Sequence, residues 1–344
     1  MTAGTSVSIV GFAGCTSLGF SMPATLAAMG AGLSNFSDTG LKSSFGTPVA
    51  AALLLERDLP RVERLAKLAS IGLSDLRELM AAAGVSHAPL MLGLPAKLED
   101  EEAVALRSEL QRSATIHPEA AWYPYGRASA FFALTQAAEM IESGAHRFIV
   151  VGGIDSLCAV PTVYGLIQAE RILGPHTEGT IPGEGAVFAL LARTDDAAVD
   201  PSSSVILENI AQHRGQAFTK ADRVSADDLA TVFRSFRKSG VRRVDRVIAA
   251  HSGEGYFGAS FSHAYLREVE VMPEPLQVKL IADCVGDVGA AAGPLGLAFG
   301  MYLMTTSPSN ARGRALIYSE SDTGEVGAAI IDGAPTNWDR TASL

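Results

Sequence analysis

A hydroxyl at the start of an apolar helix and an imidazole at the end of a strand are the side chains of this sequence best suited to acyl chemistry. Ser129 is the hydroxyl nearest the start of an alanine-rich helix, and His251 closes an apolar strand that begins at Arg246. A serine becomes a nucleophile only with a general base within hydrogen-bond reach, and His251 is the candidate base. The ordinary readings are a packing serine and a hydrogen-bonded histidine. Cys284, beside a glycine- and alanine-rich segment, is the alternative nucleophile, read otherwise as a buried thiol. The three cysteines (Cys15, Cys158, Cys284) have no metal-binding spacing with the seven histidines, His117, His176, His213 and His263 among them. Free thiols in a reducing, cytoplasmic compartment are expected, with no metal and no cofactor.

These side chains need a buried scaffold. Gly126 to Asp155 supplies one: small residues, a helix apolar nearly all round, the loop Glu142 to Gly144, and an apolar strand from Phe148 ending in Gly152 and Gly153. Such a helix and strand are covered on every side in a layered α/β core. Chemistry in such cores gathers at helix N-termini and strand ends.

Before this unit, Ser6 to Phe12 reads as a strand, followed by a glycine-rich turn from Gly11 to Gly19. A short helix starts at Ser21 or Met22, and a long amphipathic one spans Leu59 to Ala83. Pro89 to Leu94 reads as a strand, Leu98 to Arg112 as an acidic helix and Ala114 to Tyr125 as a loop. After it, Pro161 to Leu173 reads as helix and Ala186 to Ala192 as strand. A polar linker from Thr194 to Ser204 then divides the chain into residues 1–195 and 196–344. Beyond it, Val205 to Ile210, Arg246 to Ala250, Arg314 to Ser319 and Val326 to Ile331 read as strands, with helices from Ala226 and Val288. The repeated grammar predicts two similar halves about a pseudo-twofold axis, without residue identity between them.

The chain has 344 residues, 48% hydrophobic and 19% charged, which suits a multilayer fold or an obligate oligomer. A formal charge of -10 argues against nucleic acid or an anionic membrane as partner. No apolar run reaches the roughly 20 residues that span a bilayer.

In order, these landmarks resemble the β-ketoacyl synthase family of the thiolase-like superfamily. The segments that carry the resemblance are IVGFAGCTSLG, VVGGIDS, GTIPGEGAVFALLA, His251 at its strand end and GDVGAAAGPLG. The resemblance implies a five-layer α-β-α-β-α fold, a bacterial homodimer in which the strand Phe148 to Gly153 pairs across subunits, and an acyl carrier protein as partner. It also implies condensation by a cysteine at the buried helix N-terminus, with two histidines stabilising the enolate and oxyanion. Here the cysteine position falls at or near Arg127, and the second histidine falls on Asp287. The supporting lysine falls near Ala282, and the closing loop reads Ser319 to Gly324 with acids and no phenylalanine. Glu184, between two glycines, is structural in that family, as are Gly152 and Gly153.

An arginine at a buried helix N-terminus faces the positive end of the dipole and loses hydration, so it requires an acid. Asp287 or Glu254 is expected to pair with Arg127. The sequence therefore reads as a ketosynthase relative without condensing activity, acting as a partner or accessory protein. Silent partner subunits of polyketide synthases and thiolase-like proteins encoded beside secretion-effector genes set that precedent. The other reading is an acyltransferase or 3-oxoacyl synthase using Ser129, Cys284 or His251.

Overall fold

The computed structural model describes residues 6–113, 116, 120–200, 203–218, 227–306 and 313–333. His117, Ala226 and positions 201–202 of the expected linker lie outside the described residues. The chain opens with β1 (Val7–Thr16), α1 (Met22–Gly30) and a hairpin of β2 (Ser37–Lys42) and β3 (Pro48–Ala51). There follow α2 (Arg61–Ala82), β4 (Leu90–Gly93), α3 (Asp100–Arg112), β5 (Ala121–Tyr123) and α4 (Ser129–Glu142). β6 (Phe148–Ser156), α5 (Val160–Gln168) and β7 (Glu184–Arg193) complete the first group. The second comprises β8 (Val205–Arg214), α6 (Asp227–Lys238), β9 (Arg246–Ala249), α7 (Gly255–Arg267) and β10 (Val278–Leu280). It ends with α8 (Ala282–Val285), α9 (Ala292–Thr305), β11 (Arg314–Glu320) and β12 (Glu325–Asp332).

Ten strands hydrogen-bond in the order β10-β9-β11-β12-β8-β1-β7-β6-β4-β5. Counted within each group of five, both halves run third, second, fourth, fifth, first, and they join by a short antiparallel pairing of β1 with β8. In each, the second strand pairs in parallel with the third and fourth, while the fifth is antiparallel. The repeat is thus one of connectivity and strand direction.

The helices after the third strands, α4 and α9, pack between the halves. α4 touches β4 and β6 on one side and β8 and β12 on the other, and α9 touches β9, β11, β6 and β7. α2 and α3 cover the first sheet, and α6 and α7 the second, which completes an α-β-α-β-α stack. Leu134 and Leu295 in the central layer are fully buried, each contributing about 1.5–3 kcal/mol over exposure. Close approach sets the composition here. A Cβ on Gly293 of α9 would lie 2.8 Å from the Ala130 Cβ of α4, and one on Gly153 would lie 2.0 Å from the Ala290 carbonyl oxygen.

Several sequence expectations are corrected. The glycine-rich segment after Phe12 is strand, because Phe12 to Thr16 pair residue by residue with Ala189 to Gly185 of β7. β6 does not end at Gly152 and Gly153; it runs through Ser156, held by β7 along its length. From Val150 on, both its edges are occupied, by β4 and β7, so Val150 to Gly153 offer no edge for pairing across subunits. The expected loop before α4 contains β5, at the edge of the first sheet. α4 is not covered all round, since Gln136, Glu139 and Glu142 form an exposed strip. α5 stops at Gln168, and Glu170 reverses the chain with φ 53°.

Candidate functional site

The site lies where the two central helices begin. A 3-10 turn, Gly126–Ala128, precedes α4, and a second, Gly289–Ala291, precedes α9. Each opens on a glycine with positive φ, 56° at Gly126 and 52° at Gly289. The two turns touch, which brings Arg127 against Asp287.

Arg127 is only 6% exposed, and every nitrogen of its guanidinium is engaged. Nη1 donates to Asp287 Oδ2 at 2.8 Å, Nε to the Glu320 carbonyl at 2.9 Å, and Nη2 to Asp322. Its guanidinium carbon stands 4.8 Å from the centre of the Phe257 ring, a cation–π contact. Asp322 passes the chain of charge to Arg171, whose Nη1 donates to its Oδ2 at 2.6 Å. Arg171 then binds Glu254 bidentately, at 2.8 and 2.6 Å. Ser252 Oγ also donates to Glu254 at 2.8 Å, and the Gly289 amide donates to Asp287 Oδ1 at 3.0 Å. The result is an alternating row, Asp287–Arg127–Asp322–Arg171–Glu254. Glu254 therefore pairs with Arg171, and only Asp287 of the two expected acids pairs with Arg127.

The charges tune one another. Burial raises the Asp287 pKa, and the Arg127 charge only partly offsets it. Burial would raise Asp322 too, but Arg127 and Arg171 together hold it well below the usual carboxylate range. Both arginines are lifted by their acids against the opposing effect of burial, so they stay charged.

His251 lies beside this row in an aromatic setting. Its ring stands 5.6 Å from each of Phe257 and Tyr318, centre to centre. The Gly253 amide donates to Nδ1 at 3.1 Å, and Nε2 lies 3.3 Å from the Tyr318 hydroxyl. With Nδ1 an acceptor, the neutral ring carries its proton on Nε2 and shares it with Tyr318. Burial, then the positive charge of Arg127, pushes the His251 pKa down to about 3. This imidazole is a neutral hydrogen-bonding group.

Ser129 is turned away from it. Its Oγ donates to the carbonyls of Gly126 (2.6 Å) and Tyr123 (2.8 Å) and accepts from the Tyr125 amide (3.2 Å). The hydroxyl thus closes the turn that starts α4, and no base is among its partners. Cys284 is half-buried, and burial followed by the nearby Asp283 raises its thiol pKa. Cys15 is pushed up to about 12 by burial, and Cys158 also rises. These thiols are protonated at neutral pH, which makes poor nucleophiles. Among the described residues, no cluster of three His, Cys, Asp or Glu could hold a metal ion.

Glu184 is fully buried and accepts from four donors. Its Oε1 takes the amides of Leu54 (2.8 Å) and Leu55 (2.9 Å), its Oε2 takes Ser156 Oγ (2.8 Å), and Arg64 Nη1 reaches both oxygens. Arg64 is itself fully buried. The contacts tie β6, β7, α2 and the segment after β3 together. Gly152 lies beneath the Phe188 ring, 2.3 Å from where its Cβ would be.

Sequence reasoning missed Arg171, which had been placed inside a helix, and the pairing role of Asp322. It also missed Glu320, a buried acid at the end of β11. A row of acids in the Ser319 to Gly324 segment facing a lone buried arginine was the available signal.

The strand order, the layering and the paired central helices define the thiolase-like fold, and this chain has it in the form found in ketosynthases. One similar structure is the oxazolomycin ketosynthase domain KS7 of Streptomyces albus JA3453, with TM-score 0.74, 14% identity, and 98% of this chain and 76% of that one covered. The ishigamide ketosynthase/chain length factor gives TM-score 0.68 and 16% identity over 95% of this chain and 99% of that one. A type II polyketide ketosynthase in complex with its acyl-carrier protein gives TM-score 0.69 and 11% identity, covering 97% of this chain and 100% of that one. No family model matches the sequence, and no curated protein matches it. Among the described residues, no helix is long and apolar enough to cross a membrane.

Proposed function

We propose that this chain is a ketosynthase-fold protein that carries no acyl group and acts by binding a partner. The observation that supports this is the row of five charges headed by Arg127, at the start of the helix where a nucleophile is required. A guanidinium paired on both sides offers neither a nucleophile nor a base. Neutral His251 is engaged by Tyr318 and Gly253, and among the described residues no thiol or ionised side chain is hydrogen-bonded to it. Residues 1–195 and 196–344 are, in this reading, two halves of one scaffold that presents a surface. An acyl carrier protein is the partner class favoured, since one structure of the same fold is a ketosynthase bound to its acyl-carrier protein. Self-association as a homodimer belongs to the same reading, supported by the apolar-rich composition and by β5 and β10 ending the sheet among the described residues.

Decarboxylation tests the catalytic half of the proposal. Malonyl-coenzyme A and malonyl carrier protein should lose carbon dioxide no faster with the protein than without it. Release above that background, abolished by His251→Ala, would establish an enzyme instead.

A further inference from the structure

Glu320 is a buried carboxylate with one side-chain oxygen left over. It ends β11 with only 6% of its surface exposed. Its Oε2 accepts from Ser260 Oγ of α7 at 2.9 Å, while its Oε1 is buried and has no hydrogen-bond partner among the described residues. A buried ionised carboxylate with an unpaired oxygen is far costlier than a neutral carboxylic acid. Among the described residues, no cation is ion-paired with the side chain. From α6 comes Asp228, an acid already paired with His213 of β8 at 3.0 Å. α7 contributes the uncharged Ser260, and β11 itself contributes Tyr318, hydrogen-bonded to His251. Arg127 bonds the Glu320 main-chain carbonyl, with its remaining nitrogens committed to Asp287 and Asp322. Sheet register sets Glu320, Val326 and His213 in one row, so the side chains share a face under α6.

The next residues form the turn that clasps the site. Ser321 Oγ accepts from the Ala128 amide at 2.9 Å and donates to the Tyr125 carbonyl, and Asp322 bridges the two arginines. Asp322 is 39% exposed in its side chain, so this turn reaches solvent two residues after Glu320.

We propose that Glu320 is a proton-held latch: protonated, its carboxyl stays under α6 and α7, and on ionisation it moves toward solvent and opens the turn from Ser321 to Gly324. This inference does not depend on the partner-binding role. Its direction in pH follows from linkage. Burial raises the carboxyl from 4.5 to about 8 in the folded chain, with Ser260 and Arg127 only partly opposing it. Between those values the folded state holds a proton that the unfolded state has lost, so stability falls as pH rises and levels off above the upper value.

Urea unfolding of the wild type and of Glu320→Gln, from pH 5 to 9.5, tests the linkage. The ratio of their unfolding constants should rise by up to about tenfold per pH unit below pH 8 and flatten above it. Exchange of the Ser321 and Gly324 amides, taken relative to Glu320→Gln, should quicken over the same range. Ser260→Ala removes a donor that favours the charged form, so its plateau should move to higher pH; it serves also if the glutamine variant does not fold. A pH-independent ratio, turn amides that exchange alike in both proteins, or an unmoved plateau in Ser260→Ala would each overturn the latch.

Discussion

Arg127→Ala is expected to lose about 3–5 kcal/mol of unfolding free energy in urea, as for other buried charges stripped of a partner. The substitution leaves Asp287 buried with the Gly289 amide and no cation, and it frees the Glu320 carbonyl. It also removes half of the pairing that holds Asp322 on the clasping turn. Charge, rather than volume, is the cause, which a second substitution separates. Arg127→Met combined with Asp287→Asn fills similar space with no buried ion and should recover a large part of the loss. Arg171→Ala should cost less, because Arg171 and Asp322 keep 15% and 39% of their side-chain surface in water. A loss below about 1 kcal/mol for Arg127→Ala, typical of an exposed ion pair, would contradict the description of this site.

Glu184→Ala is expected to be comparably severe, at about 3–5 kcal/mol. Here both partners are fully buried, and the carboxylate accepts two main-chain amides, a serine and an arginine. Glu184→Gln retains acceptor oxygen for Leu54 or Leu55 but offers no charge to Arg64, so the two variants divide hydrogen bonding from electrostatics. Arg64 also donates to the carbonyls of Glu56 and Arg57 at 2.6 and 3.1 Å, which fixes it in place when its partner is lost. The arginine is then a trapped buried cation. Equal, small losses in both variants, read from the same urea curves, would mean that the pair can hydrate without unfolding.

What the sequence could carry is local periodicity and landmark order. The apolar spacing of α2 and the alanine-rich run of α4 marked two helices. Pairing across the sheet was not visible. β1 continues through a segment rich in turn formers because β7 lies beside it, and nothing local announces that neighbour. The short hairpin of β2 and β3, together with α7 and β10, also escaped notice, having weak or mixed periods.

The candidate site divides along the same line. A buried arginine needs an acid, so a partner for Arg127 could be expected from its residue type alone. Which acid it meets is decided by contacts spanning 160 positions to Asp287 and 195 to Asp322. Arg171 joins through a chain reversal at Glu170, whose positive φ no residue type foretells. Ser129 shows the converse: a hydroxyl at a helix start reads as a nucleophile or a packing serine, and its partners are main-chain groups of the turn that precedes α4.

Intact-mass measurement after incubation with acyl-coenzyme A and acyl-carrier-protein thioesters addresses the central claim most directly. The protein should keep its unmodified mass, since an arginine engaged by two acids stands at the helix start and Ser129, Cys284 and His251 are not activated. A covalent acyl adduct, lost in Ser129→Ala or Cys284→Ala, would contradict that account and restore the chain to catalysis.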